Sequence, residues 1–144
     1  MAAAGNSSQN NDERPNYPSN YEVNNIIGVS AFTIDDQLAT FSSYGPRTVH
    51  VCAPGKDVLS TFKGGGYQVY SGTSMATPHV TGSIALALPI LRNNDLDEII
   101  GETAQDIGND PDAFGAGLVR ADNMVNRLLQ SRYGLMETIK RIVW

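Results

Sequence analysis

A chain of 144 residues suffices for one domain, and its 41% hydrophobic and 17% charged content is typical of a globular protein. The net charge of −5 at pH 7 argues against nucleic acid or an anionic membrane surface as a partner. The single cysteine, Cys52, excludes an intrachain disulfide and a cysteine-based zinc site, and its apolar flanks predict a buried strand thiol.

Short apolar runs between turn residues predict strands in the first part of the chain. Met1–Gly5 is interpreted as the end of a strand. The polar residues 7–25 predict a loop, because asparagine and proline are frequent there. Two short buried strands are expected at Asn25–Ala31 and Val49–Ala53, the second ended by Pro54.

A β-hairpin is expected where two strand-like runs flank glycines. Val58–Phe62 and Tyr67–Tyr70 enclose Lys63-Gly64-Gly65-Gly66, which suits a tight turn. A triple glycine also occurs in phosphate-binding loops, but those loops need a lysine and a helix directly after the glycines, and neither is present here.

The residues after Ser74 predict a buried helix. Pro78 is tolerable because it falls in or just after the first turn, where few backbone N–H groups have partners, and Pro89 ends the pattern. Apolar and small residues fall on all sides of the helix, namely Ala76, Val80, Gly82, Ser83, Ile84, Ala85, Leu86, Ala87 and Leu88.

Two amphipathic helices are expected in the last third of the chain. Asp95–Glu98 has the spacing of a capping box and opens the first helix, which Gly108 closes. The second runs from Asp122 to Arg132 and is broken by Gly134, with one or two further turns over residues 135–143. Strands that alternate with helices favour the α/β class with a parallel sheet.

Ser74 stands at the N-terminal mouth of the predicted buried helix, where free N–H groups and the positive end of the helix dipole meet. A serine there has two interpretations. It is either a helix N-cap, the common use of such a residue, or a nucleophile whose developing oxyanion is stabilised by those N–H groups.

The stretch Gly72-Thr73-Ser74-Met75-Ala76-Thr77-Pro78-His79-Val80 resembles the nucleophile segment of subtilisin-like serine endopeptidases. Four further stretches resemble landmarks of that family in the family's order, so that the resemblance extends from residue 2 to about residue 121. They are Ala2-Ala3-Ala4-Gly5-Asn6, Phe41-Ser42-Ser43-Tyr44-Gly45, Ala53-Pro54-Gly55 and Gly115-Ala116-Gly117-Leu118-Val119.

The resemblance implies the C-terminal part of a subtilisin-like parallel-sheet domain, with helices on both faces and the N-terminal half missing. Residues 1–132 would form this part, and residues 133–144 a helical extension. In the family, the segments that carry the catalytic aspartate and histidine precede the Ala-Ala-Gly-Asn stretch, and nothing like them occurs in this chain. The resemblance therefore implies an endopeptidase whose isolated chain is inactive.

The same resemblance assigns the site. Ser74 is the expected nucleophile and Asn6 the expected oxyanion-hole donor, while Asn16 and Ser19 are expected at the floor of the S1 pocket, the pocket for the side chain before the cleaved bond. Many relatives have glycine at those two floor positions, so a shallower or more polar pocket is expected. One pocket wall is expected from Ala3, Ala4 and Gly5.

The two histidines of the chain are poor candidates for the catalytic base. His79 lies five residues beyond Ser74 on the same predicted helix, where side chains diverge, and it resembles a structural histidine of the family. His50 stands where relatives often have an aspartate that helps bind calcium. The chemistry itself needs no cofactor, no metal site is assigned, and His50 argues against a structural calcium ion at this loop.

The expected partners are a peptide or protein substrate and the missing N-terminal half or a propeptide-like inhibitor. The alternative is a non-enzymatic subtilase-like module that binds a partner. No apolar run reaches the length of roughly 18 residues that spans a membrane, and no signal peptide is recognisable, so the sequence assigns no cellular location.

Overall fold

The computed structural model describes residues 1–91, 96–107 and 115–143, apart from the side chains of Asp97 and residues 133–143. The chain forms five strands and three helices within these ranges. They are β1 (Ala2–Ala3), β2 (Gly28–Phe32), β3 (Val51–Pro54), β4 (Val58–Thr61), β5 (Tyr67–Tyr70), α1 (Thr73–Ala87), α2 (Leu96–Thr103) and α3 (Ala121–Val143).

Strands β1, β2 and β3 form a parallel sheet in that spatial order, with Ala2 opposite Gly28 and Val29 opposite Val51. All five residues of β2 are buried, as expected for a parallel strand that is covered on both faces. The predicted α/β class with a parallel sheet is confirmed. The observed strands begin two or three residues later than the apolar pattern suggested, because residues before Gly28 and Val51 belong to the preceding loops.

The core lies between this sheet and the helices. Helix α1 packs against all three strands, and α3 packs against both α1 and α2. The buried residues of this cluster are Ile27, Val29, Ala31, Ala39, Val51, Ala53, Ala76, Val80, Ile84, Ala87, Ile99, Ile100 and Met124. Cys52 is fully buried on the other side of β3, as predicted, and burial raises the pKa of its thiol to about 12.

The outer face of α1 corrects one expectation. The helix forms where predicted and includes Pro78, but it is buried on one side only. Thr81, Gly82 and Ala85 are exposed, and so is Leu86, which is 63% exposed. The described part of the chain covers only the side of α1 that faces the sheet and α3. Small and apolar residues suit a helix face to contact with another part of a protein, and the described residues provide no such contact for the outer face of α1.

Strands β4 and β5 form the predicted hairpin, with Val58 opposite Tyr70 and Thr61 opposite Tyr67. The three glycines of its turn have φ angles of 90°, 94° and 88°, which side chains disfavour. The hairpin is exposed along its length, and its last strand leads directly into the loop before α1.

The last two helices differ from their predicted bounds. Helix α2 ends at Thr103, because Gln105 leaves the helix and forms an antiparallel bridge with Leu118. The two residues that were predicted to bound this helix, Asp95 and Gly108, lie outside the described residues. Helix α3 continues through Gly134 to Val143, so the predicted break is wrong. A glycine inside a helix costs only about 1 kcal/mol relative to alanine, which leaves a long amphipathic helix intact. Within the described ranges, no helix is both long and apolar enough to cross a membrane.

Candidate active site

The loop before α1 is held against the sheet by two glycines. The Gly72 N–H donates to the Gly55 carbonyl at 2.7 Å, directly after β3. A Cβ atom on Gly55 would lie 2.4 Å from the Cβ of Ala31 and 2.9 Å from the Gly72 oxygen, so only glycine permits this approach. The sheet thereby fixes the position at which α1 begins.

The N–H groups of the first turn of α1 show that Ser74 is not the N-cap of this helix. Gly72 is the N-cap and has no side-chain capping bond, so Ser74 lies inside the helix and is not its cap. The Met75 and Ala76 N–H groups donate to the Gly72 carbonyl at 2.9 Å and 3.3 Å, and the Thr73 N–H donates to the side chain of Asn6 at 2.9 Å. Among the described residues, the Ser74 N–H alone in this turn donates to no protein acceptor.

Asn6 reaches this turn from the end of β1. Its Oδ1 accepts from both the N–H and the hydroxyl of Thr73, at 2.9 Å and 3.0 Å. Because the N–H can only donate, Oδ1 must face Thr73, which turns Nδ2 to the other side. A Cβ atom on Gly72 would lie 3.5 Å from Asn6 Nδ2 and 3.7 Å from Ser74 N, so the two donors flank one small space. The described residues provide no acceptor for Asn6 Nδ2 there.

Ser74 itself is exposed beside this space, and no histidine of the chain contacts its hydroxyl. The Nδ1 of His79 lies 2.8 Å from the Met75 carbonyl and therefore donates to it. The Nδ1 of His50 accepts from the Gly28 N–H at 2.9 Å, on the far side of β2 from β1. Both histidines are thus engaged in backbone contacts elsewhere.

The expected pocket residues lie together behind Asn6. The side-chain amide of Asn16 packs against Gly5, where a Cβ atom would be 3.3 Å from it, and its Nδ2 lies 3.4 Å from the Ala3 carbonyl and 3.4 Å from Ser19 Oγ. Ser19 is buried and donates to the Asn16 carbonyl at 2.7 Å. Ala4, expected in one wall of the pocket, is fully buried. The Tyr17–Pro18 peptide bond in the same loop is cis.

A groove of about 580 Å³ runs from Ser74 along the exposed face of α1. It is lined by Ala3, Ser74, Thr77, Pro78, Thr81 and Gly82. The groove therefore starts at the hydroxyl of Ser74 and continues over the part of α1 that the described residues leave uncovered.

Sequence reasoning missed one residue of this arrangement. Thr73 is buried, and its hydroxyl both accepts from the Gly5 N–H at 3.2 Å and donates to Asn6. Its place next to Ser74 was visible in the motif, but its partners lie 68 and 67 residues away in sequence. Only the fold shows the contact.

Residues 1–125 match the family model described as the subtilase family. The chain belongs to the subtilase family. It is 41% identical over 124 residues to the thermostable alkaline protease of Halalkalibacterium halodurans, covering 84% of this chain and 32% of that protein. It is 42% identical over 126 residues to the thermophilic serine proteinase of a Bacillus species, covering 87% of this chain and 30% of that protein.

Subtilisin amylosacchariticus from Bacillus subtilis subsp. amylosacchariticus is 41% identical over 122 residues, covering 82% of this subtilase chain and 31% of that protein. A solved protease structure from Pseudoalteromonas arctica superposes with a TM-score of 0.74 at 29% identity, over 88% of this chain and 41% of its own. The subtilase chain therefore spans about a third of the length of the curated relatives it matches.

Proposed function

We propose that this subtilase chain supplies the nucleophile and the oxyanion hole of a serine endopeptidase. The observation that supports this most is the pair of unengaged donors, Ser74 N–H and Asn6 Nδ2, on either side of the space in front of Gly72. When the Ser74 hydroxyl attacks a peptide carbonyl, the carbonyl oxygen becomes negatively charged. Two pre-oriented donors stabilise that charge in the transition state.

The general base is proposed to come from a second polypeptide segment. Ser74 must lose its proton during attack, and neither His50 nor His79 contacts it. In the family, this base and its orienting aspartate belong to segments that precede the Ala-Ala-Gly-Asn stretch. The groove beside Ser74 is where such a segment can both cover the exposed face of α1 and bring an imidazole to the hydroxyl.

The pocket chemistry favours a short, polar side chain before the cleaved bond. We assign Asn16 to the pocket floor, where many relatives have glycine; its side-chain amide lies against Gly5, so long or aromatic side chains would have less room. Its Nδ2 faces Ala3 and Ser19, whereas Oδ1 accepts no hydrogen bond from the described residues. An acceptor of this kind favours substrates whose side chain at this position carries a hydroxyl or an amide N–H.

We propose further that this chain holds no calcium ion at the loop of His50. Calcium requires six to eight oxygen ligands, and carboxylates supply the charge. His50 offers an imidazole whose Nδ1 already accepts from Gly28, so the side chain does not fit as a hard-metal ligand.

The test is reconstitution. The 144-residue chain is mixed with the segment of the Halalkalibacterium protease that precedes the matched region, and labelling by a serine-directed fluorophosphonate is followed. We expect labelling only in the mixture, and none with Ser74→Ala, which still binds the segment. Binding without labelling of the wild type would overturn the proposal and leave a non-enzymatic binding module. Labelling of the isolated chain would show that His50 or His79 acts as the base.

A further inference from the structure

We propose that His50 makes the start of the parallel sheet sensitive to acid, an inference that does not rest on the proposed endopeptidase function. The Gly28 N–H donates to the imidazole Nδ1 at 2.9 Å, and the His50 N–H donates to the Gly28 carbonyl at 2.9 Å. Because an N–H group can only donate, the first bond exists only while Nδ1 carries no proton. Neutral His50 therefore joins the loop before β3 to the first residue of β2 through its side chain, whereas a protonated His50 does not.

Protonation removes this acceptor in either orientation of the ring. In a neutral imidazole one nitrogen accepts and the other carries the proton, so the proton of His50 lies on Nε2. Both nitrogens of an imidazolium carry protons, and a flipped ring would turn only donors and C–H groups toward Gly28. Gly28 is buried, so its N–H reaches water only if the two segments separate.

The hydrogen bond of His79 has the opposite polarity. The Nδ1 of His79 lies 2.8 Å from the Met75 carbonyl, which can only accept, so this nitrogen carries a proton already in the neutral ring. A second proton adds to Nε2 and leaves the bond to Met75 intact. His79 is also exposed. The two histidines of the chain therefore respond differently to acid, and His79 provides a matched control.

The charged groups around the imidazole do not compensate for the lost bond. His50 lines a cavity of about 300 Å³ together with three titratable side chains, those of Tyr21, Glu22 and Arg47. Glu22 is exposed, and Arg47 is 79% exposed and paired with Asp12 at 3.3 Å, so solvent screens both charges. A second cavity, of about 220 Å³, is lined besides His50 by residues without titratable side chains, namely Pro46, Val49, Ile100, Gly115 and Ala116. Of the described residues that line the two cavities, none offers a buried carboxylate to hold a proton on the ring.

The sign of the pH dependence follows from a comparison of the closed and the opened junction. Once the segments separate, His50 takes up a proton as an ordinary histidine does, at about pH 6.5, and gives up no bond to Gly28. In the closed junction the same proton costs that bond. The opened form therefore binds more protons, so the stabilisation is complete well above pH 6.5 and declines as the pH falls below this value.

The same substitution at each histidine tests the proposal. In His50→Asn, Oδ1 takes the place of Nδ1 as an acceptor that does not titrate, and in His79→Asn, Nδ2 takes the place of the donor. Urea unfolding of the 144-residue chain is compared at pH 7.5 and pH 5.5. At the lower pH the unfolding equilibrium constant should rise by about 10-fold in the wild type and in His79→Asn, and far less in His50→Asn. An equal rise in the wild type and His50→Asn would overturn the proposal, and so would loss of the effect in His79→Asn.

Spectra of the wild type decide the proposal even if His50→Asn does not fold. The protection of the Gly28 amide, which is its hydrogen-exchange rate relative to that of an unstructured peptide at the same pH, should fall by about 10-fold from pH 7.5 to pH 5.5. The ¹H–¹⁵N signal of Gly28 should move in step with the Cε1–H signal of the His50 ring. A Gly28 signal that stays constant above pH 5, or that follows the ring of His79, would refute the acid sensitivity of this junction.

Discussion

Two hydrogen bonds join His50 and Gly28: the His50 N–H donates to the Gly28 carbonyl at 2.9 Å, and the His50 Nδ1 accepts from the Gly28 N–H at 2.9 Å. The strands are also close here, since a Cβ atom on Gly28 would lie 2.3 Å from the Thr48 carbonyl. An imidazole therefore joins the loop before β3 to the start of β2, at the position where the resemblance to the family implies a calcium-binding aspartate.

The first prediction exchanges this imidazole for a carboxylate. Calcium should not change the melting temperature of the wild type through this loop, because His50 adds no negative oxygen ligand. His50→Asp should gain a calcium-dependent rise, measured by calorimetry with calcium and with a chelator. His50→Asn is the control, since it has the same shape as aspartate but no charge. An equal response of the two variants would refute the prediction.

The second prediction separates the two roles of Asn6. Asn6→Asp keeps an oxygen that caps the Thr73 N–H but replaces the Nδ2 donor by a negative oxygen, whereas Asn6→Leu loses both. Both variants should lower kcat of the reconstituted enzyme and leave KM nearly unchanged. For Asn6→Leu, kcat should fall by about 10²–10³-fold, the known effect of removing this donor in subtilisin.

Stability distinguishes the two variants. Asn6→Asp should melt close to the wild type because the cap of α1 is retained, and Asn6→Leu should lose about 0.5–2 kcal/mol, the usual range for a lost cap. Equal destabilisation by both variants would show that the Thr73 contact does not stabilise α1.

The third prediction concerns substrate choice. Asn16→Gly should open the pocket floor, so that kcat/KM for peptides with leucine or phenylalanine before the cleaved bond rises about 10-fold or more. Peptides with serine or glutamine there should lose rate, because the Oδ1 acceptor is gone. A peptide with alanine at that position is the internal control and should change little. Unaltered ranking of the peptides would place Asn16 outside the substrate pocket.

The fourth prediction is a loss of stability in acid. Burial raises the pKa of Asp12, but hydrogen bonds from Thr48 Oγ1 and from Arg47 N–H, at 2.8 Å and 3.1 Å, lower it more, so the pKa lies below the ordinary value of 3.8. The ionised carboxylate therefore stabilises the fold above the unfolded-state pKa. This contribution is lost as the pH falls through the lower folded-state pKa.

Urea unfolding between pH 7 and pH 2.5 measures the effect. Asp12→Asn should cost about 1–3 kcal/mol at pH 7 and should flatten the acid decline. Asp35→Asn removes the same charge from an exposed turn and should leave the decline intact. An undiminished decline in Asp12→Asn would assign the acid sensitivity to other carboxylates.

Local patterns predicted the elements well and the contacts between them poorly. The hairpin of β4 and β5 followed from the sequence because its turn and strands are adjacent in the chain. Gly134 shows the limit of a local rule, since the amphipathic pattern of α3 outweighs the cost of one glycine. The contact between Asn6 and Thr73 joins residues 67 positions apart, which no local pattern reports.

The last prediction tests the groove along α1. A methyl group on Gly82 would meet no atom within 4 Å, so Gly82→Ala has room in the isolated chain and should stabilise it by about 0.5–1 kcal/mol through helix propensity. The same methyl group projects from a residue that lines the groove, where we propose that the segment carrying the base packs. Gly82→Ala should therefore raise the Kd for that segment about 10-fold or more, measured by calorimetric titration.

Gly101→Ala provides the comparison. Gly101 is also an exposed helical glycine on which a methyl group would meet no atom within 4 Å, but it lies on α2 and does not line the groove. It should give a similar gain in stability and leave the Kd unchanged, because only the Gly82 methyl group would meet the incoming segment. If both variants stabilised the chain and neither weakened binding, the segment would have to contact another surface, and the base would have to approach Ser74 from the side of Asn6.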